Sequence, residues 1–98
     1  MDIKKEIDVI SNYIIRLRKH FHMYPELGMQ EFETCKRIKE ELANMEIPFV
    51  SAGETGIIGF VGKGPKVIAL RADMDALKIQ EKNDISYRSK TPGIMHAC

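Results

Sequence analysis

At 98 residues the chain makes one domain at most, and a domain this small buries too little of its surface to carry a complete large enzyme. Lys and Arg number 15 against 14 Asp and Glu, and the resulting formal charge of +1 excludes a field able to recruit nucleic acid or an anionic membrane. Apolar residues form 44% of the chain, an ordinary globular share that excludes intrinsic disorder, and no apolar run approaches the roughly 18 to 20 residues of a membrane span.

The N-terminal stretch MDIKKEIDVI interleaves charge with its apolar positions and lacks the apolar core of a secretory signal, so the reading is a cytoplasmic protein. Ile3, Ile7, Ile10, Ile14, Leu17 and Phe21 recur at steps of four and three, which predicts one amphipathic helix over 3–21 with Asp2 as its cap. Pro25 restricts the residue before it and Gly28 follows, so this helix stops near His22 or Met23. A second helix is predicted over about 30–44, its buried stripe being Phe32, Cys35, Ile38, Leu42 and Met45.

After Pro48 the texture changes to short β-rich runs, PFVS, TGIIGFVG and KVIALRA, separated by glycine-containing turns. Val67, Ile68, Ala69 and Leu70 are apolar without alternation, which predicts a central strand covered on both faces. The carboxyl end of that strand delivers RADMDAL, the place where open α/β sheets bind ligands. The remainder, 78–98, is polar and contains Pro92 and Gly93, so it reads as a loop or a short strand. The predicted class is α/β, a helix-flanked sheet, with no repeat or low-complexity tract.

The glycines between Gly53 and Gly64 invite a phosphate-loop reading, but Ile57 and Gly64 occupy the places where such a loop needs Gly and Ser or Thr. A hairpin turning around 62–65 is the simpler expectation. Asp73 and Asp75, two apart at a strand end, point to one side if extended, and such a pair could hold a metal, orient a ligand or share a proton. The alternative is a solvated strand end with Asp73 paired to Arg71. His20 and His22 lie at a helix end, where alternate residues face different sides; a capping role for one and packing for the other is favoured over metal binding. Cys35 sits in the apolar stripe and reads as a small buried hydrophobe. Cys98 ends the tripeptide His96-Ala97-Cys98, which places a soft thiolate near an imidazole; on these residues alone a frayed terminus is favoured. In a reducing compartment both thiols remain free.

Taken together, the segments resemble a known family. PELGMQEFET, preceded by His22, resembles the HxxPELxxxE element of the amidohydrolases that include hippurate hydrolase, aminoacylases, indole-acetyl-amino-acid hydrolases and N-acetyldiaminopimelate deacetylase. RADMDALKIQE resembles their RADMDALPIQE element, and PGIMHAC the beginning of PGxMHACGHDxH. One departure is Lys78, where the family usually has proline, and a looser turn beyond the aspartates follows from it.

The resemblance implies a zinc-peptidase-like catalytic domain interrupted by a smaller satellite domain, often homo-oligomeric, of which residues 1–98 are the N-terminal portion, incomplete and ending inside the metal motif. It further implies hydrolysis of the amide bond of N-acyl amino acids with one or two divalent ions (Zn, Mn, Co or Ni). By resemblance Cys98 matches a metal ligand. Asp75 aligns with an aspartate that orients the metal centre and Asp73 with a neighbouring ligand position, the more important of the two being left open. The catalytic glutamate and the histidine ligands are not among these residues, so the resemblance implies a chain that is inactive alone and binds no ion stably. A rival expectation is a noncatalytic interaction or folding module, or one half of a split enzyme, in which an uncovered sheet edge pairs with another chain.

Overall fold

The first helix, α1, spans Ile3–Met23 in a computed structural model that describes residues 1–98. It starts where the Asp2 carboxylate accepts the Lys5 amide at 3.3 Å, and it closes with the Tyr24 amide on the His20 carbonyl at 3.1 Å. The periodicity is as predicted, yet packing covers only part of the stripe: Leu17 and Phe21 are half-buried, whereas Ile3, Ile7, Ile10 and Ile14 face solvent.

The second helix, α2, spans Phe32–Asn44 and is capped from a distance. Glu31, at the cap position, bonds no helix amide with its side chain. Instead the Glu26 carboxylate accepts the Thr34 amide at 2.6 Å, the Thr34 hydroxyl at 2.7 Å and the Glu33 amide at 3.2 Å. A carboxylate there also meets the positive end of the helix dipole, and such caps are worth about 1 kcal/mol. The other end closes by a Schellman pair, the Glu46 amide on the Ala43 carbonyl and the Ile47 amide on the Leu42 carbonyl. That motif needs a left-handed residue after the cap, and Glu46 takes it at φ 57° without being glycine. Leu42 and Ile47, brought together by this turn, both lie against Gly59, which seats the helix on the sheet. Of the predicted stripe, Cys35 is buried and Ile38 and Leu42 half-buried, while Phe32 and Met45 are exposed.

Strands β1 (Phe49–Ala52) and β2 (Gly56–Gly59) form an antiparallel hairpin in the register Phe49 with Gly59 and Ala52 with Gly56. The hairpin expected around 62–65 does not form, since 67–70 pairs with no strand; the turn that closes is the glycine-containing one between the PFVS and TGIIGFVG runs, at 53–55. Two glycines decide this: Gly53 adopts φ +67°, and a Cβ on Gly56 would sit 2.4 Å from the Ala52 carbonyl oxygen, so only glycine closes the loop. The helices Tyr13 and Glu41 belong to are tied by the Tyr13 hydroxyl donating to the Glu41 carboxylate, which Arg37 also holds at 2.9 Å.

The α/β class stands: two helices and a two-stranded sheet. The interior strand predicted at 67–70 is a correction. No ladder forms there, and Val67, Ile68 and Leu70 are 86%, 90% and 97% exposed. A strand exists by pairing its amides and carbonyls with neighbours, and no strand lies beside 67–70 to supply the pairing. The loop reading of 78–98 holds. In keeping with an uncovered surface, 7 of 98 residues are buried and the radius of gyration is 15.4 Å, against about 13 Å for a compact chain of this length. No helix is long and apolar enough to cross a membrane.

The exposed isoleucine face of α1 predicts concentration-dependent association. Light scattering over a dilution series should show size rising with concentration, and an Ile7→Glu/Ile14→Glu variant should suppress the rise with little loss of helix content. A wild-type chain that stays monomeric throughout contradicts this.

Candidate active site

Three separated segments meet at residues 76 and 77. The Ala76 amide donates to the Glu26 carbonyl at 2.8 Å, forming a parallel bridge between Leu27 and Ala76. Leu77 and Met95 exchange both amide bonds, at 2.9 and 3.1 Å, in an antiparallel bridge. The PEL, DAL and MHA tripeptides therefore lie side by side, with Ala76 buried between them. On the PEL side the turn places Gly28 beside the Asp75 carboxylate, while Met29 takes φ 65° and its amide donates to the buried Glu31 carboxylate at 2.6 Å.

The long loop from this junction to Met95 has no regular structure, and a single carboxylate organises it. Glu81 is 2% exposed. Its oxygens lie 2.8 and 3.0 Å from Nε2 of His22, on α1, and accept the Ser89 amide and the Asn83 amide group as well. An ionised carboxylate only accepts, so the imidazole presents Nε2–H. The Ser89 amide foremost, with His22 and Asn83, holds the Glu81 carboxyl down at about 2 against the opposing effect of burial. The network extends outwards. Ser89 Oγ reaches the Thr91 and Ile94 carbonyls at 3.1 and 2.6 Å, Arg88 donates to the Glu81 carbonyl at 3.2 Å, and the Lys90 amide donates to the Met23 carbonyl at 2.9 Å. Tyr87 lies edge-on to the His22 ring, with Lys19 and Arg18 over its face.

The residues singled out from the sequence are placed as follows. Asp73 is exposed and pairs with the exposed Arg71 at 2.7 Å, the solvated arrangement weighed above. Asp75 turns towards Gly28 and acts electrostatically on His96, so the two aspartates do not share one environment. Cys98 is an exposed free thiol, and Cys35 is buried in α2. His20 and His22 do not form a metal pair: the first packs on Tyr24 at 5.0 Å, the second binds Glu81. Asp73, His22, His96 and Cys98 line one groove of ≈ 690 Å³ between α1, α2, β2 and residues 70–74. Nε2 of His96 is buried there without a hydrogen-bond partner, and burial, then the nearby His22, lowers the pKa of the ring.

The donor chemistry of Cys98 and His96 suits a divalent transition metal, but a catalytic zinc takes three protein ligands besides water. No group of three or more His, Cys, Asp and Glu side chains comes together in this chain. The residues present do not make a metal centre by themselves.

Glu81 and Glu26, the two carboxylates that hold the site together, were not among the residues singled out from the sequence. Both lie within the matched motifs, but an acidic residue in a polar loop carries no local sign of burial, and the partner of Glu81 is 59 residues away.

The α/β architecture and the convergence of the three motifs define a class: the chain is a relative of the amidohydrolases and of the M20 family of metal-binding peptidases. It is 41% identical over 100 residues to YhaA of Bacillus subtilis strain 168, provisionally named an amidohydrolase, and 45% identical over 87 residues to an uncharacterized hydrolase of Staphylococcus aureus strain USA300. These alignments cover 99% and 88% of this chain but 25% and 23% of the relatives, so the chain spans about a quarter of their length. Among solved structures, the YxeP protein of Bacillus subtilis, described as a dinuclear metal-binding peptidase of the M20 family, superposes with a TM-score of 0.84 at 41% identity, over 93% of this chain and 27% of that one. An aminohydrolase, so named provisionally, from methicillin-resistant Staphylococcus aureus gives 0.89 at 35% identity, over 96% and 26%. No family model matches the chain.

The Glu81 carboxyl, lowered from 4.5 to about 2 in the folded chain, fixes the sign of a pH effect. Between those values the unfolded state binds more protons, so the stabilisation is full above the unfolded value and is lost as pH falls through about 2. Urea unfolding of the wild type and Glu81→Gln should therefore show a stability gap that is constant above about pH 5 and narrows towards acid. A gap that stays the same down to the acid limit contradicts the assignment.

Proposed function

We propose that residues 1–98 supply the N-terminal part of the catalytic domain of a metal-dependent amidohydrolase that cleaves the amide bond of N-acyl amino acids. The observation that carries this reading is the junction at Ala76 and Leu77, where the PEL, DAL and MHA segments are joined by backbone hydrogen bonds and Asp73, His96 and Cys98 come to line one groove. Hydrolysis of an unactivated amide needs an activated water and a stabilised oxyanion, and a divalent ion supplies both when bound. In this reading Cys98 is one ligand of that ion, Asp75 orients the centre, and Asp73 lies at its rim. The remaining ligands and the general base come from residues other than these 98. The substrate is a small molecule, and the compartment is the cytoplasm.

A second reading is favoured by the apolar run at 67–70 and the bare face of α1: the chain associates with a complementary polypeptide and is one half of a split enzyme or a noncatalytic interaction module. Both readings assign the uncovered surface to a missing neighbour, and they differ in whether the neighbour carries the other ligands.

Purified chain with added zinc or manganese should hydrolyse neither hippurate nor N-acetyl amino acids above a metal-only blank. Turnover that disappears in Asp75→Ala would overturn the claim that this portion is inactive alone, while supporting the role given to the aspartate.

A further inference from the structure

The loop that ends in Met95, His96, Ala97 and Cys98 has no helix or strand to fix its course, yet its far end pairs with Leu77 in a defined register. We propose that His22 and Glu81 are positioning residues for this segment: a buried carboxylate, gripped from α1 by His22, sets the path of the 81–95 loop and hence the place at which Cys98 is presented. The functional importance of that place rests on the reading of Cys98 as a metal ligand; the positioning itself does not.

Three features converge on the pair. First, Glu81 is the most buried side chain of the molecule, and a carboxylate out of water is costly unless donors surround it. Second, the donors come from separate places. His22 is on α1, Asn83 lies just beyond Glu81, and Ser89 is on the returning limb. Such an arrangement specifies the closed loop in a way that an apolar side chain of the same volume does not. Third, the restraint is passed on, since Ser89 holds the carbonyls of Thr91 and Ile94, immediately before the bridge at Met95. His22 also lines the groove that contains His96 and Cys98, so the anchoring helix and the anchored segment face the same space.

The difference in exposure between the two cysteines makes the idea testable in the chain as it is. A nitroxide label attaches selectively to the exposed Cys98, because Cys35 is buried, and broadens the amide signals of residues near it. In the wild type, broadening should concentrate on amides along the groove, including His22 and Thr34. In Glu81→Gln and His22→Phe that pattern should spread or vanish, and amide exchange at Ser89 and Met95 should accelerate by about tenfold or more, as expected for loss of hydrogen bonds to a buried charge. Exchange within α2 should change by less than about twofold, a separation that general destabilisation does not give. His22→Gln retains a side-chain N–H donor and should restore the wild-type pattern. Should Glu81→Gln unfold, the contrast between His22→Phe and His22→Gln decides the matter alone. An unchanged pattern in His22→Phe, or equal effects of His22→Phe and His22→Gln, overturns the proposal. None of these readouts depends on catalysis, so failure of the amidohydrolase reading would leave them standing.

Discussion

A carboxylate removed from water must be met by donors, and in this chain that requirement shapes the loop from 81 to 89. Glu81 draws an imidazole from the first helix, an amide from the returning loop and a side-chain amide from its own neighbourhood. Because His22 is 59 residues from Glu81 and Ser89 lies on the returning limb, satisfying one side chain ties a loop without regular structure to the first helix. The neighbouring bridges at Ala76 and Leu77 then complete a small junction in which backbone hydrogen bonds, rather than a large apolar core, bring the three motifs together. Glu26 acts in the same way on a smaller scale, leaving its carbonyl for Ala76 and giving its carboxylate to the start of α2. Polar groups are thus the framework here, and many apolar side chains of α1 and 67–70 are exposed.

The helices were legible because their causes are local. Spacing of Ile and Leu at three and four, an aspartate at the start and Pro25 beyond the end specify α1 wherever its face is finally packed. The interior strand expected at 67–70 was not, because the apolar run reports the environment the segment is composed for and cannot report whether the covering elements are among the same 98 residues. The hairpin between the first two β-rich runs was legible for a local reason like that of the helices, a glycine-containing turn at 53–56, whereas the hairpin expected around 62–65 fails together with the strand at 67–70 that it needed. For the site, the motifs identified the right segments but not the residue that unites them. Burial of Glu81 follows from a partner 59 residues away, a relation with no periodicity to read.

The uncovered surface and the comparisons have a common physical meaning. Two solved structures about three and a half times as long share the fold of this chain closely, at 41% and 35% identity. A segment that is both strongly apolar and nearly fully exposed is unfavourable in isolation, since each large aliphatic side chain gains roughly 1.5 to 3 kcal/mol on burial. The chain therefore combines a hydrogen-bonded polar junction with exposed apolar side chains at 67–70, and Cys98 lies on the groove that His22 and His96 also line.

The site depends on the joining of the three motif segments at Ala76 and Leu77 in this chain itself. Nuclear Overhauser contacts in isotopically labelled protein at neutral pH test it most directly. Cross-strand contacts between Leu77 and Met95 and between Leu27 and Ala76 are expected, alongside a His22 ring resonance perturbed by its hydrogen bond to Glu81. Helical signals for α1 and α2 with random-coil shifts throughout 76–98 would contradict it, leaving two helices and a hairpin with no assembled site.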